Sequence, residues 1–108
     1  MSWPQQYLPG AMMRAVGLAE VLTKLQDEGV PPQEAMAACS MLPITVCPFG
    51  QAEAIGTAAL RQKTRHLGLS PGDRACLQLA RSEHAQAITA DRSWSDLDLD
   101  VDLVVIRP

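Results

Sequence analysis

The chain has 108 residues, enough for one domain and too few for two independent cores. It is 47% hydrophobic and 19% charged, with seven Gly and eight Pro, which excludes collagen-like, low-complexity and wholly disordered classes. A formal net charge of −3 argues against holding nucleic acid by bulk charge alone, and 4% aromatics leaves almost no stacking platform for single strands. The charge is nonetheless uneven. Arg61, Lys63, Arg65, Arg74, Arg81 and Arg92 fall close together, whereas Asp91, Asp96, Asp98, Asp100 and Asp102 crowd the C-terminal end.

The first ten residues, with Pro4 and Pro9, read as an irregular lead, and residues 11–108 read as one domain. Ala11 to Val16 is a short apolar run that suits a buried strand. Leu18, Val21, Leu22 and Leu25 then recur at helical spacing, which predicts a helix from about Gly17 to Glu28, stopped by Gly29. Pro31 and Pro32 open a second helix over Gln33 to Met41. Between Pro43 and Pro48, Ile44-Thr45-Val46-Cys47 reads as a strand.

A third helix is expected from Gln51 to about His66, and a fourth carries Ala75, Cys76, Leu79 and Ala80 on one stripe and ends near His84. Gln86 to Thr89 reads as a strand. From Asp96 to Leu103, Asp alternates with Leu or Val ahead of Val104-Val105-Ile106, a period of two that suits a half-exposed edge strand. Strands separated by helices imply an α/β fold with a parallel sheet.

Cys39, Cys47 and Cys76 form no C-x-x-C pair, and His66 and His84 stand at no zinc-finger spacing from them. Cys47 and Cys76 read as core packing, and the two histidines as helix ends. No charged-then-apolar leader and no apolar run of membrane-spanning length is visible, so a reduced, cytoplasmic protein away from membranes is the expectation.

Three acids share a setting near predicted helix starts. Glu20 lies three residues after Gly17, Asp73 three after Ser70, and Asp91 directly after the strand ending Ile88-Thr89. Each is explained singly by helix capping and dipole interaction, with Ser70-Pro71-Gly72-Asp73 a fair capping box. Glu20 also shares a wet helix face with Thr23, Lys24 and Asp27. In a parallel sheet, however, strand-to-helix turns converge at the carboxyl edge, where ligands collect. Clustered carboxylates there need a cation, and hard oxygen ligands suit Mg²⁺ or Mn²⁺, the chemistry of phosphodiester hydrolysis. Arg74 and Arg92 adjoin two of the acids and are candidate phosphate contacts.

Ala15-Val16-Gly17-Leu18-Ala19-Glu20-Val21, Leu69-Ser70-Pro71-Gly72-Asp73-Arg74-Ala75-Cys76-Leu77 and Thr89-Ala90-Asp91-Arg92-Ser93-Trp94 stand in the order of three acidic motifs. In these segments the chain resembles the PIN-domain ribonucleases, particularly the toxins of VapBC-type toxin–antitoxin pairs. The resemblance implies a metal-dependent endoribonuclease with Glu20, Asp73 and Asp91 as catalytic metal ligands. It also implies RNA as substrate, a small antitoxin as partner, and a homodimer. Two departures stand out. The family opens with a central strand ending in Asp, whereas residues 1–10 contain no acid. Arg14 and Gly17 replace a frequent Ser or Thr and a frequent Asn; Arg14 is free to pair with Glu20 or a phosphate. The expected alternatives are a catalytically silent remnant that binds an antitoxin or oligomerises, and a natural chain that starts further upstream.

Overall fold

The computed structural model describes residues 10–106, so the irregular lead expected over residues 1–10 lies, except for Gly10, outside the described residues. In chain order the elements are β1 (Ala11–Arg14), α1 (Ala15–Asp27), α2 (Pro32–Ser40), β2 (Ile44–Cys47), α3 (Gln51–Ala58), α4 (Arg61–Thr64), α5 (Pro71–Ser82), β3 (Ala87–Thr89) and β4 (Leu103–Val105). Short 3-10 turns cover Arg65–Leu67 and Arg92–Asp96. The fold is mixed α/β with parallel strands. No helix among the described residues is long and apolar enough to cross a membrane.

The first helix begins two residues earlier than its periodicity predicts, because Arg14 supplies the extended N-cap and Ala15 and Val16 join the helix rather than the strand. It ends as its glycine demands. Gly29 takes the left-handed conformation (φ +97°), the Gly29 N–H reaches Gln26 O, and the Val30 N–H reaches Leu25 O, the paired bonds of a Schellman motif. The same device closes α5 without glycine: His84 sits at φ +51°, and the Ala85 N–H donates to Ala80 O.

The long third helix expected up to His66 is broken. The Leu60 N–H bonds to Thr57 O, three residues back, which tightens the last turn and drives Leu60 into the core. Thr64, fully buried, returns its hydroxyl to Leu60 O at 2.9 Å, and left-handed Gly68 stops the chain.

The expected single sheet is split. Among the described residues β1 pairs only with β2, from Ala11↔Ile44 to Arg14↔Cys47, and β3 only with β4, from Ala87↔Leu103 to Thr89↔Val105. Both pairs are parallel, and α5 packs against β1 as well as β3. The C-terminal edge strand is also corrected. Leu97, Leu99 and Val101 turn inward onto the core and the intervening aspartates outward, as the alternation predicts. Ladder pairing nevertheless starts only at Leu103, because β3 offers just Ala87–Thr89 to pair with.

The core is gathered around α5: Leu60, Leu69, Leu77, Ala80, Ala87 and Trp94, with Leu67, Cys76, Leu97, Leu99, Val101 and Leu103 against it. In contrast, α1 buries no residue fully and α2 only Ala35.

Candidate functional site

The N-terminus of α5 is where the predicted acids begin to meet. Ser70 caps the helix: its Oγ accepts from the Asp73 N–H at 3.1 Å, while Asp73 Oδ2 accepts from the Ser70 N–H at 3.1 Å. The capping box foreseen in the sequence is therefore formed, and it occupies one oxygen of Asp73.

Glu20 joins the same helix end from another element. Because α1 starts at Ala15, Glu20 lies in its second turn and not at its N-terminus, contrary to expectation. Its carboxylate instead reaches across to α5, where Oε1 accepts from Ser70 Oγ at 2.9 Å and Oε2 from the Gly72 N–H at 3.0 Å. A helix N-terminus presents unpaired N–H groups and partial positive charge, so a carboxylate placed there is well held. The close approach depends on Gly72, since a Cβ at that position would collide with the Glu20 carboxylate. The face of α1 that carries Glu20 is a shallow open depression also lined by Val16, Thr23 and Lys24.

Asp91 caps a different element. It is exposed, caps the 3-10 turn Arg92–Asp96, and accepts at Oδ1 from both the Ser93 N–H (2.9 Å) and Ser93 Oγ (2.7 Å). Arg92, the next residue, is exposed. Among the described residues no three His, Cys, Asp or Glu side chains converge on a point that could hold a metal ion. Glu20 and Asp73 are both engaged at the helix end.

A second polar group lies further along α5. Arg14 ends β1, and its Nη2 donates to Gln78 Oε1 at 3.2 Å while Nη1 donates to Pro48 O at 3.2 Å. Arg14 therefore does not pair with Glu20. Arg74, one turn before Gln78, makes a long 3.5 Å contact from Nη1 to Thr57 O. Gln78 and Thr57 carry no site motif in the sequence; the packing of β1 and α3 on α5 brings them beside the arginines.

Cys76 faces the core from α5. Burial, reinforced by the nearby Asp73 charge, pushes its thiol up to about 11, so it is an inert packing residue as expected. Cys39, Cys47 and Cys76 are all free thiols. Compared with known proteins, the chain matches no protein-family model, no curated protein and no solved structure.

Proposed function

We propose that the chain is a PIN-like domain of the ribonuclease class, with RNA as substrate and phosphodiester hydrolysis as its reaction. Glu20, Asp73 and Asp91 are its acids, Mg²⁺ or Mn²⁺ its cofactor, and Arg74 and Arg92 its phosphate contacts. The observation that carries the reading is the meeting of Glu20 with Ser70 and Gly72, 50 and 52 residues away in sequence, at the helix end that also holds Asp73. The parallel pairing of the described strands, β1 with β2 and β3 with β4, is also compatible with a PIN-like parallel sheet. A divalent ion, held by these acids, would lower the pKa of a bound water and steady phosphoryl charge. The chain's own contribution is to hold the Glu20 carboxylate through Gly72 N–H and Ser70 Oγ and to fix Ser70 through Asp73.

Because no three acidic side chains converge among the described residues, the expected cleavage is slow. The test is hydrolysis of single-stranded RNA by the purified protein in Mn²⁺, beside EDTA-treated and Asp91→Asn samples. Slow cutting that is lost in both controls supports the reading, whereas a folded protein that never cuts removes it.

A second reading, a catalytically silent module that binds a small antitoxin or a second copy of itself, is favoured by an apolar groove of about 170 Å³ between α1, α2 and β2. Leu18, Leu22, Met36, Leu42, Ile44 and Val46 line it. Sedimentation of the purified chain tests self-association, and a monomer that also fails to retain a co-expressed antitoxin rejects this reading.

A further inference from the structure

Two guanidinium groups meet the Arg74–Gln78 face of α5, Arg74 from the helix itself and Arg14 from β1. Arg14 is fastened to Gln78, and Arg74 lies one turn from Gln78 on the same helix face, the spacing at which side chains are neighbours. Gln78 packs on Gly56, where a Cβ would stand 3.4 Å from its Cγ, and the adjoining Thr57 meets Arg74 through its carbonyl. Both guanidinium groups are cationic. Among the described residues neither makes an ion pair.

The hydrogen-bond inventory of this cluster is incomplete in a specific way. Arg14 Nε, Arg74 Nε and Thr57 Oγ1 are each buried without a partner, and Thr57 is only 3% exposed. Buried donors are ordinarily satisfied, and among the described residues every buried side-chain N or O atom without a partner belongs to one cluster that carries two positive charges. Stability alone explains neither the paired charges nor the unused donors. A tetrahedral oxyanion answers both, because it neutralises the charges and offers several acceptors to guanidinium N–H groups and a hydroxyl.

We propose that Arg14, Arg74, Thr57 and Gln78 form a phosphate-binding site, with the arginines and the Thr57 hydroxyl as donors and Gln78 holding Arg14 in place. The ligand is a phosphate group, either free or within a nucleic-acid backbone. The site extends the phosphate role proposed for Arg74 and stands whether or not RNA is cut, since it uses none of the three acids.

The test is titration of the folded protein with inorganic phosphate at low salt, followed by calorimetry or amide NMR, and a second titration with a short uridine oligomer. Arg14→Gln and Arg74→Gln are each expected to weaken phosphate binding about tenfold, the usual consequence of losing one charge-assisted hydrogen bond. Lys24→Gln, which removes the same charge from an exposed position on α1, is expected to leave binding within about twofold. Thr57→Val removes only the buried hydroxyl, is expected to melt no earlier than the parent, and should still weaken phosphate several-fold. Competition between the oligomer and phosphate assigns the site to a backbone phosphodiester; phosphate binding without competition assigns it to free phosphate. Failure of phosphate to bind the parent, or equal binding by the parent and both arginine variants, overturns the proposal. Binding without cleavage leaves this site standing and removes only the nuclease reading.

Discussion

The two parts of this molecule bury their residues very differently. From Gln51 onward, helices and strands close around Leu77 and Trp94, which are 0% and 3% exposed. Before that, β1, α1, α2 and β2 fully bury Ala35 alone among their apolar side chains, while Met12, Val21, Met36, Met41, Leu42 and Val46 stay exposed. Parallel strands are usually covered on both faces, and β1–β2 is not. What ties the first part to the second includes a small set of polar bonds to α5: Glu20 to Ser70 and Gly72, and Arg14 to Gln78. Those are the residues of the two proposed sites, so attachment and function compete for the same groups.

The sharpest way to break this comparison is to damage the C-terminal core. Leu77→Ala empties a fully buried position and is expected to cost about 2–5 kcal/mol, a large share of the roughly 5–15 kcal/mol of an ordinary domain. Urea unfolding followed by circular dichroism should show most of the structure lost at lower denaturant; a small shift would place the stabilising core elsewhere.

The next effect falls on the joint itself. In an ordinary helix position Gly→Ala stabilises by up to about 1 kcal/mol, but at Gly72 the added methyl would displace the Glu20 carboxylate. Gly72→Ala is therefore expected to destabilise by about 1.5–3 kcal/mol, the scale of a hydrogen bond to a charged group. A cycle with Glu20→Gln separates the causes: once Glu20 has lost its charge, Gly72→Ala should cost much less. Additive effects would mean that the two residues do not act through one contact.

How much of this was legible in the sequence follows from the range of each interaction. The helix stripe from Leu18 to Leu25, the Gly29 stop and the Ser70 capping box are settled within a few residues, and all three stand as expected. The alternation from Asp96 gave the correct inward face for Leu97, Leu99 and Val101 but not the absence of a ladder, because pairing depends on a partner strand of only three residues. Glu20 stands out in the sequence for its place near an expected helix start, yet its partners lie 50 and 52 residues on, beyond any local pattern. Thr57 and Gln78 carry no motif, and only their burial and the unused donors around them make them visible.

A smaller effect is expected at Cys76, which reports on the closure of the C-terminal part. Folding raises its thiol from an ordinary 9.0 to about 11. Below pH 9 the thiol is protonated folded or unfolded, so it adds no pH dependence. Between the two values the unfolded chain releases the proton first, and stability falls as pH rises, by an amount on the order of 1 kcal/mol. Thiol titration at pH 8 should modify Cys76 last among the three cysteines and promptly once denaturant is added. Early modification would mean that α5 opens locally.

The smallest effects are expected on the exposed apolar side chains of the N-terminal part. Met36 is 59% and Val46 46% exposed, so Met36→Gln and Val46→Thr remove little buried apolar area. Each should change unfolding free energy by no more than about 0.5 kcal/mol when measured at low protein concentration. The informative variable is concentration. If the groove they line is covered by a second copy, the parent's midpoint rises with protein concentration and the variants' midpoints do not, because association stabilises by mass action. If all three proteins unfold at the same concentration-independent midpoint, the open face of α1, α2 and β2 is tolerated by the monomer. The contrast between the two parts is then a property of this chain alone, not half of an interface.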